Sequence, residues 1–259
     1  MLKRFLKYCV LFSAIGSLVV FAGYSVYKNE VSHSIENIQK PTNVSDGYSW
    51  AFQNTIKKSR QSAVQVISTT KNDGMLSSAS GTYFETQGRY FVITVDHGIL
   101  GDCPYTSVAH EGVFYDCQRY IAMDPIRDYV VMEVEKIETR VPIKIPQDLP
   151  PPQQWKDSYS ILNNVLYTGY PNSIGPLTIH GKVAGWAGSE YVYIYSYAWA
   201  GSSGSGVFDR KGRYIGYIIA IDVGQTEFGI NVLENIILIG PANKIDWPFI
   251  LNQIGKNDD

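Results

Sequence analysis

Cysteine is scarce in this 259-residue chain, with three in all, and their spacing offers none of the common structural metal sites. No CxxC pair and no HExxH stretch occurs, so neither a zinc ribbon nor a zincin helix is available. An excess of one charge is lacking too. Lys and Arg number 22 against 24 Asp and Glu, a formal net charge of −2, and no long single-sign run occurs. A nucleic-acid surface draws its affinity from a basic stripe, so no nucleic-acid partner is expected. Histidine is down to four residues, which leaves few candidates for general acid–base work.

What is plentiful is Tyr, with 19 residues, and Gly, with 23. Aromatic and β-branched side chains suit a pleated, half-buried surface, and they crowd the chain after residue 62. At 45% hydrophobic and 18% charged, the composition is that of a globular protein, neither disordered nor polytopic.

The first residues, MLKRFLK (1–7), carry Lys3, Arg4 and Lys7. YCVLFSAIGSLVVFAGYSVY (8–27) then runs without a charge. As a helix rising about 1.5 Å per residue it would cross about 30 Å of hydrocarbon. Positive charge upstream predicts a cytoplasmic end at 1–7 and an exported remainder, a single-pass membrane protein. The rival is a cleaved signal, with Phe21, Ala22, Gly23 and Ser25 near the cut, which leaves a secreted or periplasmic protein. Residues 28–46 read as a polar linker and 47–259 as the folded domain. Cys9 lies in the apolar run. Cys103 and Cys117 lie 14 positions apart in the exported part, compatible with a disulfide or with two buried thiols.

Residues 47–61 have Trp50, Ala51, Phe52 and Ile56 near helical spacing, which predicts a short helix. Strands follow: SAVQVIST (62–69), then two runs in GTYFETQGRYFVITVDH around the turn at 86–88. VAHEGVFYDCQRYIAMD predicts a hairpin about Glu111-Gly112, and DYVVMEVEKI (128–137) another strand. After a Pro-rich bridge at 146–152 come NVLYTGYP, TIHGKVAGW, YVYIYSYAW and a hairpin turning at Lys211-Gly212. Short strands at this spacing predict an all-β sandwich or barrel in two groups. ANKIDWPFILNQIG, with Pro248 near its first turn, predicts a closing helix.

Three places combine reactive side chains with fixed backbone. FVITVDHGIL sets His97 just after an apolar strand, IRDYVVMEV sets Asp128 just before one, and WAGSSGSGVFD sets Ser203 in a Gly-rich bend. A serine hydroxyl attacks poorly unless a neutral imidazole takes its proton, and a carboxylate fixes that imidazole's tautomer. Gly allows the turn that points two amides, here those of Gly201 and Ser203, at one developing oxyanion. Each residue also has a plain structural reading: a polar strand end, a turn (with Asp124 nearby), a flexible Ser-Gly loop.

At these residues the chain resembles the trypsin-like superfamily, most closely its Deg/HtrA branch without a PDZ domain. SASGTYFETQGRYFVITVDHGI is similar to G-S-G-x-x-hydrophobic leading to T-x-x-H, and MDPIRD to D-P-x-x-D before a strand. TGYP resembles G-x-P, GSSGSGVFDRKGRYIGY resembles G-N-S-G-G-P with its following hairpin, and IGPANKI the closing strand and helix start. The resemblance implies two six-stranded antiparallel β-barrels, and the apolar run at 8–27 would set one N-terminal transmembrane helix before them. The resemblance also implies a serine endopeptidase with His97 as base, Asp128 as its orienting acid and Ser203 as nucleophile. It implies protein or peptide substrates, no cofactor and no metal, and it leaves an oligomer, a trimer included, open. Tyr197, six before Ser203, would line the base of the primary pocket and Ile218, Ile219 and Ala220 one wall, which favours a small or medium apolar side chain. Gly98, Asp96, Ser205 and Gly206 depart from the family pattern, and no reacting group is lost by them. Rival readings are a catalytically silent tethered binding module and a β-sandwich adhesion domain.

Overall fold

The computed structural model describes residues 50–146, 156, 159–226 and 229–256, and the side chains among these except at Trp50 and over 220–234. The proposed anchor at 8–27, its flanks and most of the Pro-rich bridge lie outside the described residues. Among the described residues no helix is long and apolar enough to cross a membrane.

A first helix, α1 (Trp50–Ser62), precedes β1 (Ala63–Thr69), β2 (Leu76–Thr86), β3 (Arg89–Thr94), β4 (Thr106–His110), β5 (Val113–Asp124) and β6 (Tyr129–Val134). These six strands pair antiparallel in the order β1-β4-β5-β6-β3-β2, and β2 returns to β1, closing a barrel. A two-residue strand, β7 (Ile143–Lys144), adds parallel to β2. The second group is β8 (Asn164–Gly169), β9 (Leu177–Ala187), β10 (Tyr191–Tyr195), β11 (Gly206–Asp209), β12 (Tyr214–Thr226) and β13 (Gly229–Pro241). It closes as a second antiparallel barrel in the order β10-β13-β12-β11-β8-β9. The chain ends in α2 (Trp247–Gly255), capped by Asp246, whose Oδ1 accepts from the Phe249 N–H at 3.0 Å, with Pro248 in the first turn.

Alternating side chains divide between different cores. In β6, Met132 and Val134 fill the first barrel with Val64, Val66, Tyr83, Val92 and Val108. Tyr129 and Val131 point the other way, into a layer shared with Phe91, Ile93, Trp247, Ile250, Ile254, Phe208 and Tyr217. Both faces of β6 are therefore covered, which is why it is apolar at every position but Glu133. The second barrel is filled by Val165, Tyr167, Val183, Ile194, Val207, Ile218 and Ile239.

The two helices cross over. α1 precedes the first barrel yet packs on the second: Ser59 Oγ donates to Thr168 Oγ1 at 2.8 Å, and Arg60 Nη1 to Thr178 Oγ1 at 2.9 Å. Lys58 Nζ donates to the Gly212 carbonyl at 2.7 Å. α2 follows the second barrel yet packs on the first, with Trp247 edge-on to Phe84 and Arg89 donating to the Ile254 carbonyl at 2.8 Å.

Several strand boundaries differ from the sequence reading, and β6 for one stops at Val134, short of Ile137. β2 begins at Leu76, because the serines before Gly81 pair with β1. YVYIYSYAW leaves the sheet after Tyr195, and its remainder runs toward the Ser203 loop. Cys103, in a one-turn 3₁₀ helix, is joined to Cys117 of β5 by a disulfide with Cα atoms 5.2 Å apart.

Candidate active site

β3 ends at Thr94 and gives way to the 3₁₀ turn Asp96–Gly98, which carries His97. Asp128 stands immediately before β6 with φ 58°, a left-handed conformation that Asp tolerates better than most residues. Its two oxygens grip His97 twice: Oδ1 accepts from the His97 backbone N–H at 2.9 Å, and Oδ2 lies 2.7 Å from Nδ1. With the proton on Nδ1 donated to Asp128, neutral His97 keeps a lone pair on Nε2. The hydrogen bond to Asp128 raises the His97 pKa, helped by the charges of Asp128 and Asp96 and opposed by burial. Burial and the Asp128 charge raise that of Asp96 in turn.

Asp124 is occupied elsewhere. Its carboxylate accepts from the Ile126 and Arg127 N–H groups and from Arg127 Nη1, which closes the turn before Asp128. Tyr217, from the second barrel, donates its hydroxyl to the Arg127 carbonyl at 2.6 Å and so fixes the backbone beside Asp128. Burial pushes the Tyr217 phenol up, which keeps it a donor.

The Ser203 bend is held by backbone bonds. Ser202 N–H donates to Trp199 O at 2.9 Å, Gly204 N–H to Ile218 O at 2.7 Å, and Ser205 N–H to Ser202 O at 3.1 Å. Gly204 has φ +85°, and a Cβ there would lie 2.0 Å from the Ser80 carbonyl, so only glycine fits. Gly201 has φ +90°. The Ala200 carbonyl accepts from Asn172 N–H at 2.6 Å, and because the peptide is trans, the Gly201 N–H points the opposite way. Among the described residues neither the Gly201 N–H nor the Ser203 N–H has an acceptor. Ser203 Oγ donates to the Ile219 carbonyl at 3.0 Å, and no hydrogen bond joins it to His97.

The two halves are nonetheless linked through β2. Ser80 N–H donates to the Ser203 carbonyl at 2.8 Å, and the Ser80 carbonyl accepts from Thr94 Oγ1 at 2.8 Å, at the end of the strand that leads to His97. The departure at Ser205 is accommodated by Gly169, where a Cβ would come 2.0 Å from Ser205 Oγ.

Of the pocket residues, Tyr197 is 52% exposed and its ring stacks on Trp199, 46% exposed, with centroids 6.2 Å apart. The Tyr197 ring thus forms a surface ledge with Trp199 and is not closed in at the floor of a cavity. Its carbonyl accepts from the Tyr167 hydroxyl. Ile218 and Ile219 are buried in two different cores. Ala220 pairs through its backbone with Leu238, and its side chain is outside those described. An open cleft of about 440 Å³ begins at Ile99 and Leu100, just past His97, and is also lined by Lys71, Asp102 and Met123. Among the described residues no three His, Cys, Asp or Glu side chains converge where they could hold a metal ion. Ser80, Asn172, Trp199 and Tyr217 belong to this region and were not singled out by sequence. Only Pro-Asn-Ser at 171–173 carried a local signal, as a turn.

No curated protein matches the chain in sequence. Among solved structures, the chain is similar to the serine endoprotease from Yersinia pestis, at 18% identity and TM-score 0.59, over 78% of this chain and 67% of that one. It is also similar to the Rv3671c protease from M. tuberculosis in its active form, at 14% identity and TM-score 0.59, over 78% and 84%. At such identities the likeness is one of fold. The sequence itself goes further, because a family model for the trypsin-like peptidase domain matches residues 79–216, more than half of the chain, from the strand that grips the Ser203 bend to the hairpin beyond it. This chain belongs to the trypsin-like peptidase domain family.

Proposed function

We propose that the chain is a serine endopeptidase that cleaves peptide bonds through an acyl-enzyme. The observation that supports this most is the pairing of a doubly gripped His97–Asp128 couple with two unoccupied amides, at Gly201 and Ser203, in one bend. In the reaction Ser203 Oγ attacks the carbonyl carbon and its proton passes to His97 Nε2. The carbonyl oxygen takes the negative charge and receives the Gly201 and Ser203 N–H groups. His97 then gives the proton to the amine nitrogen as the C–N bond breaks. Water, deprotonated by His97, then attacks the acyl carbon, and His97 returns the proton to Ser203 Oγ as the ester C–O bond breaks and the acid leaves. Each amide at the oxyanion contributes about 2.7–4 kcal/mol to the transition state.

Ser203 Oγ must first release the Ile219 carbonyl to hydrogen-bond His97. The peptide substrate would lie across the Tyr197–Trp199 ledge and the cleft beside Leu100. An uncharged segment at 8–27 supports tethering of the domain outside the cytoplasm.

The hydrogen bond from Ser203 to Ile219 is also what a catalytically silent binding module would have. Fluorophosphonate labelling of the full-length chain in detergent separates the two. Labelling that disappears in Ser203→Ala is the expected result. A folded chain that stays unlabelled and leaves casein uncut would favour the silent module.

A further inference from the structure

We propose that Ser80 is the positioning residue of the oxyanion-binding bend, because one buried hydroxyl from the first barrel fixes two loops of the second at Gly201. The proposal rests on the peptidase reading above. Ser80 is fully buried. Its hydroxyl donates to the Gly201 carbonyl at 2.7 Å and accepts from the Tyr170 N–H at 2.8 Å.

Gly201 is the least constrained residue type, placed where a donor must hold still. Its direction depends on the two peptides that flank its Cα. The Ala200–Gly201 peptide is fixed by Asn172, whose N–H reaches the Ala200 carbonyl. The Gly201–Ser202 peptide is fixed at its carbonyl by Ser80. With both peptides held, φ and ψ of Gly201 are set, and so is the line of its free N–H. The same hydroxyl ties down Tyr170, whose carbonyl lies 2.7 Å from where a Gly201 Cβ would be, and Tyr170 leads through Pro171 to Asn172. Ser80 therefore acts on both clamps, one directly and one through the Tyr170 backbone.

Preorganised donors stabilise charge because they need not reorient during reaction. Loss of the clamp should lower kcat, since the ground-state carbonyl gains little from the donors and the transition state gains much. A serine that merely satisfies buried polar groups would lower thermal stability and leave turnover in the surviving folded enzyme intact.

The test uses the full-length chain in detergent, as wild type, Ser80→Ala, Ser80→Cys and Ser203→Ala. On a chromogenic peptide, Ser80→Ala should lose roughly 10²-fold in kcat with KM within about threefold of wild type. The near-isosteric Ser80→Cys, a weaker donor, should fall between, and it replaces Ser80→Ala if that variant does not fold. Amide exchange by mass spectrometry over residues 196–206 needs no turnover. The hydrogen-bonded amides of Ser202, Gly204 and Ser205 should exchange at least about tenfold faster in Ser80→Ala, with β6 unchanged. Unchanged kcat and unchanged exchange in a folded variant would overturn the Ser80 assignment and leave the peptidase reading intact. An inactive wild type whose exchange still responds to Ser80→Ala would do the reverse.

Discussion

His97 can act as a base only while its imidazole is neutral, and its surroundings work against that. The Asp128 hydrogen bond, the Asp128 charge and Asp96 all raise its pKa. The acid limb of kcat/KM should therefore have its midpoint above that of a free imidazole. Asp96→Asn removes one of the raising charges, so the limb should move toward lower pH, as a pH–rate profile would show. Stability runs the other way: the charged pair favours the fold below the unfolded imidazole value, and that gain is lost as pH rises through the raised folded value. Asp128→Asn keeps a side chain that tolerates φ 58° and should cost about 10⁴ in kcat by stabilising the wrong tautomer. These residues were legible in sequence because each is a reactive side chain beside an apolar strand. Ser80 and Asn172 were not, since their partners are backbone atoms far along the chain; Ser80 and Gly201 are separated by 121 positions. No local pattern encodes a bond of that span.

Within β6, Glu133 is the one acidic residue in an otherwise apolar strand. Arg89 and Arg119 enclose its carboxylate, with Nε atoms of both at 2.7 Å. Glu133→Ala would leave two arginines facing each other, and we expect about 2 kcal/mol of destabilisation in urea titration. That is less than the 3–5 kcal/mol of a fully buried pair, because both arginines retain access to water. The disulfide acts on the same sheet by closing a loop of 14 positions between Cys103 and Cys117. Replacing both cysteines by serine should lower stability by about 3 kcal/mol in the same titration. Most elements could be read from alternation and turn residues, Glu111-Gly112 included, where both φ angles are positive. β13 was visible only at its end, since Asn231, Glu234 and Asn235 interrupt its apolar pattern and its pairing with β12 supplies what pattern does not.

At the scale of the molecule, each barrel is braced by a helix from the opposite end of the chain. Trp247, Ile250 and Ile254 of α2 are buried in the layer that also holds Tyr129 and Val131, the outer face of β6. Burial of such side chains contributes about 1.5–3 kcal/mol each, against a total stability of about 5–15 kcal/mol. A chain ending at Ile245 should therefore lose fluorophosphonate labelling along with the first barrel's cooperative unfolding transition, as followed by circular dichroism. Strand spacing predicted a sandwich or barrel in two groups and the family resemblance supplied the two barrels, but the exchange of helices was not readable, because amphipathic spacing says which face is apolar and not which barrel receives it.

The crossed helices also set a schedule. A chain leaves the ribosome from its N-terminus at about 5–20 residues per second. α1 emerges before either barrel but has nothing to rest on until the second barrel follows, and the first barrel lacks its brace until α2 is made. His97 and Asp128 belong to the barrel that is completed last, and Ser203 to the one whose brace is oldest. A chain not yet extended to α2 lacks the brace of the half that carries His97 and Asp128. On the peptidase reading, a growing copy is thus harmless to the chains beside it until α2 has been made.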